Sequence, residues 1–141
     1  MESFKVQYTV DGEDFSIAGE ASRKLKKVLQ SLGVSPQIAR KATVAMYEGE
    51  INMVIHADGG VIDVEISPEK IHIFLRDKGP GIPDIALAMT EGFSTATETV
   101  RELGFGAGMG LPNMSKYTDY MNITTEVGVG TTVEMIVNNT P

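Results

Sequence analysis

The chain has 141 residues, 42% of them hydrophobic, a formal charge of −7 and no cysteine. That length and apolar content predict one domain, residues 1–141, with a core of its own. The missing cysteines exclude disulfides, cysteine nucleophiles and thiolate metal sites. The acidic balance, with no dense basic block, argues against a nucleic-acid partner.

No apolar run reaches membrane-spanning length, so no transmembrane helix and no membrane partner are expected. The start, Met1-Glu2-Ser3-Phe4-Lys5, lacks the pattern of a signal peptide, and a cytoplasmic location fits.

Phe4 to Val10 alternates, with Phe4, Val6, Tyr8 and Val10 on one side, and predicts a half-buried strand. Asp11-Gly12 makes a turn. From about Ser16 to Leu32, apolar residues recur every three or four positions, the spacing of an amphipathic helix. Arg23, Lys24, Lys26 and Lys27 form its solvated side, and Gly33 its C-terminal stop. Ser35-Pro36 then opens a second helix, Ser as N-cap and Pro at the first helical position. It runs to about Ala57 and is apolar nearly all round, which predicts burial.

Asp58-Gly59-Gly60 reads as a turn. Val61 to Ser67 and Ile71 to Asp77 alternate as two strands joined by Pro68-Glu69-Lys70. Between Lys78 and Met109 the pattern dissolves, apart from a short helical patch at Ile85 to Met89. A stretch of that length inside a compact domain is usually functional, often a lid. Leu111 to Tyr120 is a short helix. Met121 to Glu126 and Thr132 to Val137 are the last strands, joined by Gly128-Val129-Gly130. The order predicts an α+β fold: a two-layer sandwich whose mixed, mostly antiparallel sheet is covered on one face by helices.

Several residues stand out. Glu48 and Asn52 lie four apart on the buried helix and share a face. Burying both unpaired costs several kcal/mol, so they need partners. Those partners are either nearby backbone or a ligand, with Asn52 offering an oxygen to Mg²⁺ and Glu48 acting as a general base. Glu50 points elsewhere and is expected to be solvated or at a helix edge. His56 lies two turns beyond Glu48 on the same stripe.

Asp77-Lys78-Gly79-Pro80-Gly81 closes a strand. It is either a plain turn or an acceptor for an exocyclic amine with room for a base. Gly104, Gly106, Gly108 and Gly110 stand at alternate positions before a helix start, where free N–H groups suit a phosphate. Their spacing fits neither the dinucleotide nor the P-loop pattern. Lys78 and Arg101 lie near these loops and either meet phosphate or are plain surface charges. Ser94 and Thr95 read as solvated loop residues.

Glu48-x-x-x-Asn52, Asp77-x-Gly79-x-Gly81, Gly104-x-Gly106-x-Gly108-x-Gly110 and Gly130-Thr131 occur in order over nearly the whole chain. The set resembles the GHKL ATPases with a Bergerat-type nucleotide site. It is most similar to the small serine/threonine kinases of bacterial partner-switching modules, the anti-sigma-factor kinases and their stressosome relatives. The run Glu91-Gly92-Phe93-Ser94-Thr95 and the glycine loop through Leu111-Pro112 carry that last likeness.

The resemblance implies the histidine-kinase-like ATPase fold, with ATP and Mg²⁺ as cofactors. Asn52 would coordinate Mg²⁺ through the nucleotide phosphates and Glu48 would act as the catalytic base. Asp77, helped by Thr131, would bind adenine, with Gly79 and Gly81 making room for it. Gly104, Gly106, Gly108, Gly110 and Leu111 would contact ATP, and residues 82–105 would form a lid. The implied partner is a small antagonist protein of the STAS class, together with a sigma factor or phosphatase, and a homodimer is left open.

No helices bearing a phosphoacceptor histidine are expected before the domain and no transducer domain after it. This points away from orthodox histidine kinases, gyrase and mismatch repair. The alternatives carried forward are an ATP-binding anti-sigma factor that sequesters its partner without transfer, a slow ATPase, and an unrelated metal-dependent hydrolase. Gly49, inside the buried helix, costs about 1 kcal/mol against Ala. It serves either close packing or room for the nucleotide.

Overall fold

The computed structural model describes residues 3–12, 18–56, 59–79 and 110–139. Its elements are β1 (Phe4–Asp11), α1 (Glu20–Ser31), α2 (Pro36–His56), β2 (Gly59–Ile66), β3 (Lys70–Asp77), α3 (Gly110–Lys116), β4 (Tyr120–Glu126) and β5 (Gly130–Asn138). The strands form one sheet in the order β1-β2-β3-β5-β4. Every neighbouring pair is antiparallel, so among the described strands the sheet is not mixed as expected.

Helices and sheet make two layers because each strand alternates. Ile62, Val64 and Ile66 of β2, Ile71, Ile73 and Leu75 of β3, and Val133, Met135 and Val137 of β5 are buried on one face. Leu25 and Leu29 of α1, Ala42, Ala45 and Met46 of α2, and Met114 of α3 close the core from the helical side.

The other face of the sheet carries a polar and aromatic lattice in register. Gln7 donates to Asp63 at 2.8 Å, and Asp63 pairs with Arg76. The Arg76 guanidinium lies 4.6 Å from the Phe74 ring centre, and His72 meets Glu134 at 2.6 Å. No helix among the described residues is long and apolar enough to cross a membrane.

The local signals at the α1–α2 corner act as read. Gly33 takes the left-handed conformation (φ 77°). Its N–H donates to the Gln30 carbonyl at 3.1 Å, and the Val34 N–H donates to Leu29 at 3.0 Å. This is the Schellman pattern that only a residue free to take positive φ closes cheaply. The Ser35 hydroxyl accepts the Ile38 N–H at 3.3 Å, the N-cap of α2.

Several boundaries differ from the sequence expectation, and three of them have a visible cause. Helix α1 begins at Glu20 rather than Ser16, because Gly19 sits left-handed at φ 93° and Ala18-Gly19 is a turn. Gly59-Gly60, expected as a turn, already belongs to β2. A side chain on Gly59 would overlap the Val10 carbonyl, and one on Gly60 the Arg76 carbonyl, so these glycines let three strands close up. Helix α3 stops at Lys116 rather than Tyr120. The Asp119 N–H donates to the Ile136 carbonyl at 2.9 Å and its carboxylate accepts the Asn138 N–H at 2.7 Å, which draws the chain into β4.

Candidate functional site

Two structural seams bring the site together: the ends of β3 and β5, and the contact of α2 with α3. In the sheet, Arg76 pairs with Thr132, so Asp77 and Thr131 fall side by side. The Asp77 Oδ1 accepts the Thr131 N–H at 3.1 Å and the Gly79 N–H at 2.9 Å. Neither bond uses Oδ2. The carboxylate is thereby fixed in orientation with an acceptor oxygen to spare. Gly130 permits the approach, since a side chain there would overlap the Asp77 carbonyl. Thr131 is buried, and its hydroxyl lies 3.0 Å from the Thr125 hydroxyl, which itself donates to the Gly130 carbonyl at 3.3 Å.

Across α2, Glu48 and Asn52 are both half-buried, one turn apart. The Asn113 Nδ2 of α3 donates to Glu48 Oε1 at 3.5 Å. Burial pushes the Glu48 carboxyl above its ordinary range, and the Asn113 bond partly opposes this by favouring the charged form. A carboxylate of raised pKa is a better proton acceptor, which suits a general base.

Gly49 decides how close α3 comes. A Cβ at this position would overlap Leu75 of β3 and sit 3.0 Å from Met114 Cε of α3. Gly49 therefore serves close packing, the first of the two roles open from the sequence. Met114, fully buried in that seat, holds the adjacent Asn113 at Glu48.

Asn113 was missed by sequence reasoning. The available signal was its place in the first turn of the helix that follows the glycine loop, in Gly110-Leu111-Pro112-Asn113.

Glu50 is the clear correction. Expected to be solvated or at a helix edge, it is 3% exposed. Its carboxylate accepts the N–H groups of Gly19 (2.9 Å), Ala21 (3.2 Å) and Ser22 (3.1 Å) and the Ser22 hydroxyl (2.8 Å). Helix α1 has glycine at its N-cap and no capping side chain of its own. Glu50 supplies the cap from α2, placing negative charge at the positive end of the helix. The glycine start of α1 was the overlooked sign that a cap had to come from elsewhere.

Asn52 forms no side-chain hydrogen bond among the described residues, so its carboxamide oxygen is available on the same stripe as Glu48. No cluster of three or more His, Cys, Asp or Glu side chains able to hold a metal occurs among the described residues. A lone amide oxygen fits a Mg²⁺ ion whose remaining ligands are phosphate and water, and does not fit a metal held by protein alone.

Lys78 is exposed beyond β3 and forms no ion pair among the described residues. Leu111 is half-buried against the core at the start of α3, next to Gly110. His56 ends α2, and its side chain lies outside the described residues. Gly81, Arg101, Gly104, Gly106, Gly108, the lid at 82–105, the patch at 85–89, Ser94 and Thr95 also lie outside them.

Comparison with known proteins bears on the family and the fold. The profile described as histidine kinase-, DNA gyrase B-, and HSP90-like ATPase matches residues 37–141. The serine/threonine-protein kinase RsbT of Bacillus subtilis is 31% identical over 121 residues, covering 82% of this chain and 85% of that protein. The anti-sigma F factor of Anoxybacillus flavithermus is 32% identical over 103 residues, covering 73% of this chain and 64% of its own length. Among solved structures, the mycobacterial sensor histidine kinase MprB superposes with a TM-score of 0.55 at 16% identity, covering 96% of this chain and 99% of that one. That last likeness concerns the fold alone.

Proposed function

This chain belongs to the histidine kinase-, DNA gyrase B- and HSP90-like ATPase family, in its anti-sigma-factor kinase branch, and we propose that it is an ATP-dependent serine/threonine protein kinase of a bacterial partner-switching module. Its substrate in this reading is a small antagonist protein of the STAS class. The observation that carries the reading is Glu48: a half-buried carboxyl raised by burial and held by Asn113 on the helix that also carries Asn52. Nucleotide binding alone needs no base there.

In this reading the adenine amine donates to Asp77, whose orientation Thr131 and Gly79 fix. Gly104, Gly106, Gly108 and Gly110 line the phosphates. Asn52 would hold Mg²⁺, which would supply charge neutralisation at the phosphates when bound. Glu48 accepts the proton of the partner's serine or threonine hydroxyl as its oxygen bonds to the γ-phosphorus. The bond from that phosphorus to the β,γ-bridging oxygen breaks, and ADP leaves. Positioning and charge neutralisation supply most of such catalysis.

The name of the anti-sigma F relatives points to partner sequestration, and in a second reading the chain binds ATP and sequesters its partner without transfer. The test is incubation with γ-labelled ATP, Mg²⁺ and the STAS-domain proteins of the same genome. Label on a partner serine or threonine is expected. ATP binding with no label on any of them would select the second reading. Transfer undiminished in Glu48→Ala would remove the assigned base.

A further inference from the structure

The chain is acidic overall, yet residues 21–47 hold six of its twelve Lys and Arg and none of its nineteen Asp and Glu. Four of them stand within Arg23-Lys24-Leu25-Lys26-Lys27, and Arg40-Lys41 stand on the following helix. Folding gathers them. The turn at residues 32–35 and the Glu50 cap make α1 and α2 antiparallel neighbours, with the start of α1 beside Glu50 and its end beside the start of α2. Arg23, Lys26 and Lys27 of α1 and Arg40 and Lys41 of α2 are all exposed. None of these five forms an ion pair among the described residues, whereas Lys24 is paired with Glu20 at 3.2 Å.

The face also carries apolar anchors. Tyr47 is 39% exposed and Leu32 46%. Tyr47 and the Arg23 guanidinium both lie beside Gly19, so the two helices share one surface there. Arg40 and Tyr47 stand seven apart and share a ridge of α2, and Lys41 and Glu48 share the adjoining ridge. The basic face therefore runs up to the carboxyl assigned as base.

We propose that this α1–α2 face docks an acidic surface of the protein partner and so brings the partner's hydroxyl to Glu48. The destination of that hydroxyl rests on the kinase reading above. The partner is a protein rather than a polyanion for an electrostatic reason. Outside residues 21–47, the other six Lys and Arg face all nineteen acids. An extended nucleic acid or a membrane surface would meet that negative remainder as well. A compact acidic protein seated on Tyr47 and Leu32 meets the basic face alone, within the screening length of about 8–10 Å at ordinary salt.

The test uses the full chain and a fluorescein-labelled peptide of alternating Glu and Ser, with oligothymidylate and phosphatidylserine vesicles as competing probes. The peptide is expected to bind, with affinity falling as salt rises. Two separate double variants, Lys26→Glu with Lys27→Glu and Arg40→Glu with Lys41→Glu, are each expected to weaken it about tenfold or more. Lys5→Glu with Lys70→Glu, the same charge change in the sheet layer, should leave it within about twofold, as distant charges are screened. Equal weakening by this control, no weakening by either helix pair, or tighter binding of DNA or vesicles would each overturn the proposal. For a STAS-domain protein that accepts label, the helix variants raise KM and leave kcat unchanged. Absence of labelling counts against the kinase reading and leaves the peptide result to decide this one.

Discussion

Replacing Glu50 with Ala tests how α1 is held against the helix that carries the site. The carboxylate receives four hydrogen bonds at 2.8–3.2 Å from the first turn of α1, and no side chain of α1 can take its place. Hydrogen bonds to charged groups contribute about 1.5–3 kcal/mol each, though a shared acceptor makes them non-additive. An N-cap alone is worth about 0.5–2 kcal/mol. Truncation would also orphan three N–H groups in a site that is 3% exposed at Glu50.

Together these give a loss of about 3–4 kcal/mol, a large share of the 5–15 kcal/mol typical of a domain. With an unfolding entropy of about 2.1 cal/mol/K per residue, a loss near 3 kcal/mol lowers Tm by about 10 °C for a chain of this length. Urea denaturation of wild type, Glu50→Ala, Ser22→Ala and the double variant measures it. Ser22→Ala alone should cost about 1 kcal/mol, and most of that cost should vanish once Glu50 is gone. Amide exchange should accelerate at Ala21 and Ser22 while Ile71 and Ile73 stay protected. A loss below about 1 kcal/mol in Glu50→Ala, or a Ser22 cost unchanged in the double variant, would refute the capping role.

Three further outcomes are expected. Gly49→Ala gains helix propensity but forces a methyl into Leu75 and Met114, so a net loss of about 1–2 kcal/mol is expected in thermal melts. Asn113→Ala removes the bond that favours ionised Glu48, so the acid limb of the transfer rate against pH should move to higher pH, while ATP affinity, read with a fluorescent analogue, stays within about twofold. Glu48→Gln should cut transfer about 10²- to 10⁴-fold and raise Tm at neutral pH. The folded carboxyl has a raised pKa, so the fold binds the proton more tightly than the unfolded chain does. Its stabilising share is present below the ordinary carboxylate range and lost as pH rises through the folded value. The Tm gain should therefore shrink as the pH falls from above the folded value to the ordinary carboxylate range.

Much of the fold was legible in the sequence because its signals are local. Gly33 stops α1, Ser35-Pro36 starts α2, and each strand alternates, all through contacts a few residues apart. The stripe of Glu48 and Asn52 follows from helical period alone. The motif order, with its likeness to nucleotide-binding kinases, was also present in the chain.

Only the tertiary structure decided what those residues touch. Asp77 meets Thr131 through the register of β3 on β5, 54 positions apart. Asn113 meets Glu48 across 65 positions because Gly49 lets Met114 sit against α2. Glu50 was misread because nothing within α2 marks it off from a solvated glutamate. Its partners lie 28–31 residues away, at a helix start whose missing cap becomes visible only when α1 and α2 pack. The exposed cations of residues 23–27 and 40–41 likewise became neighbours only through the antiparallel packing of α1 on α2. Periodicity and caps act over one or two turns. Register, close packing and buried charge are settled between elements.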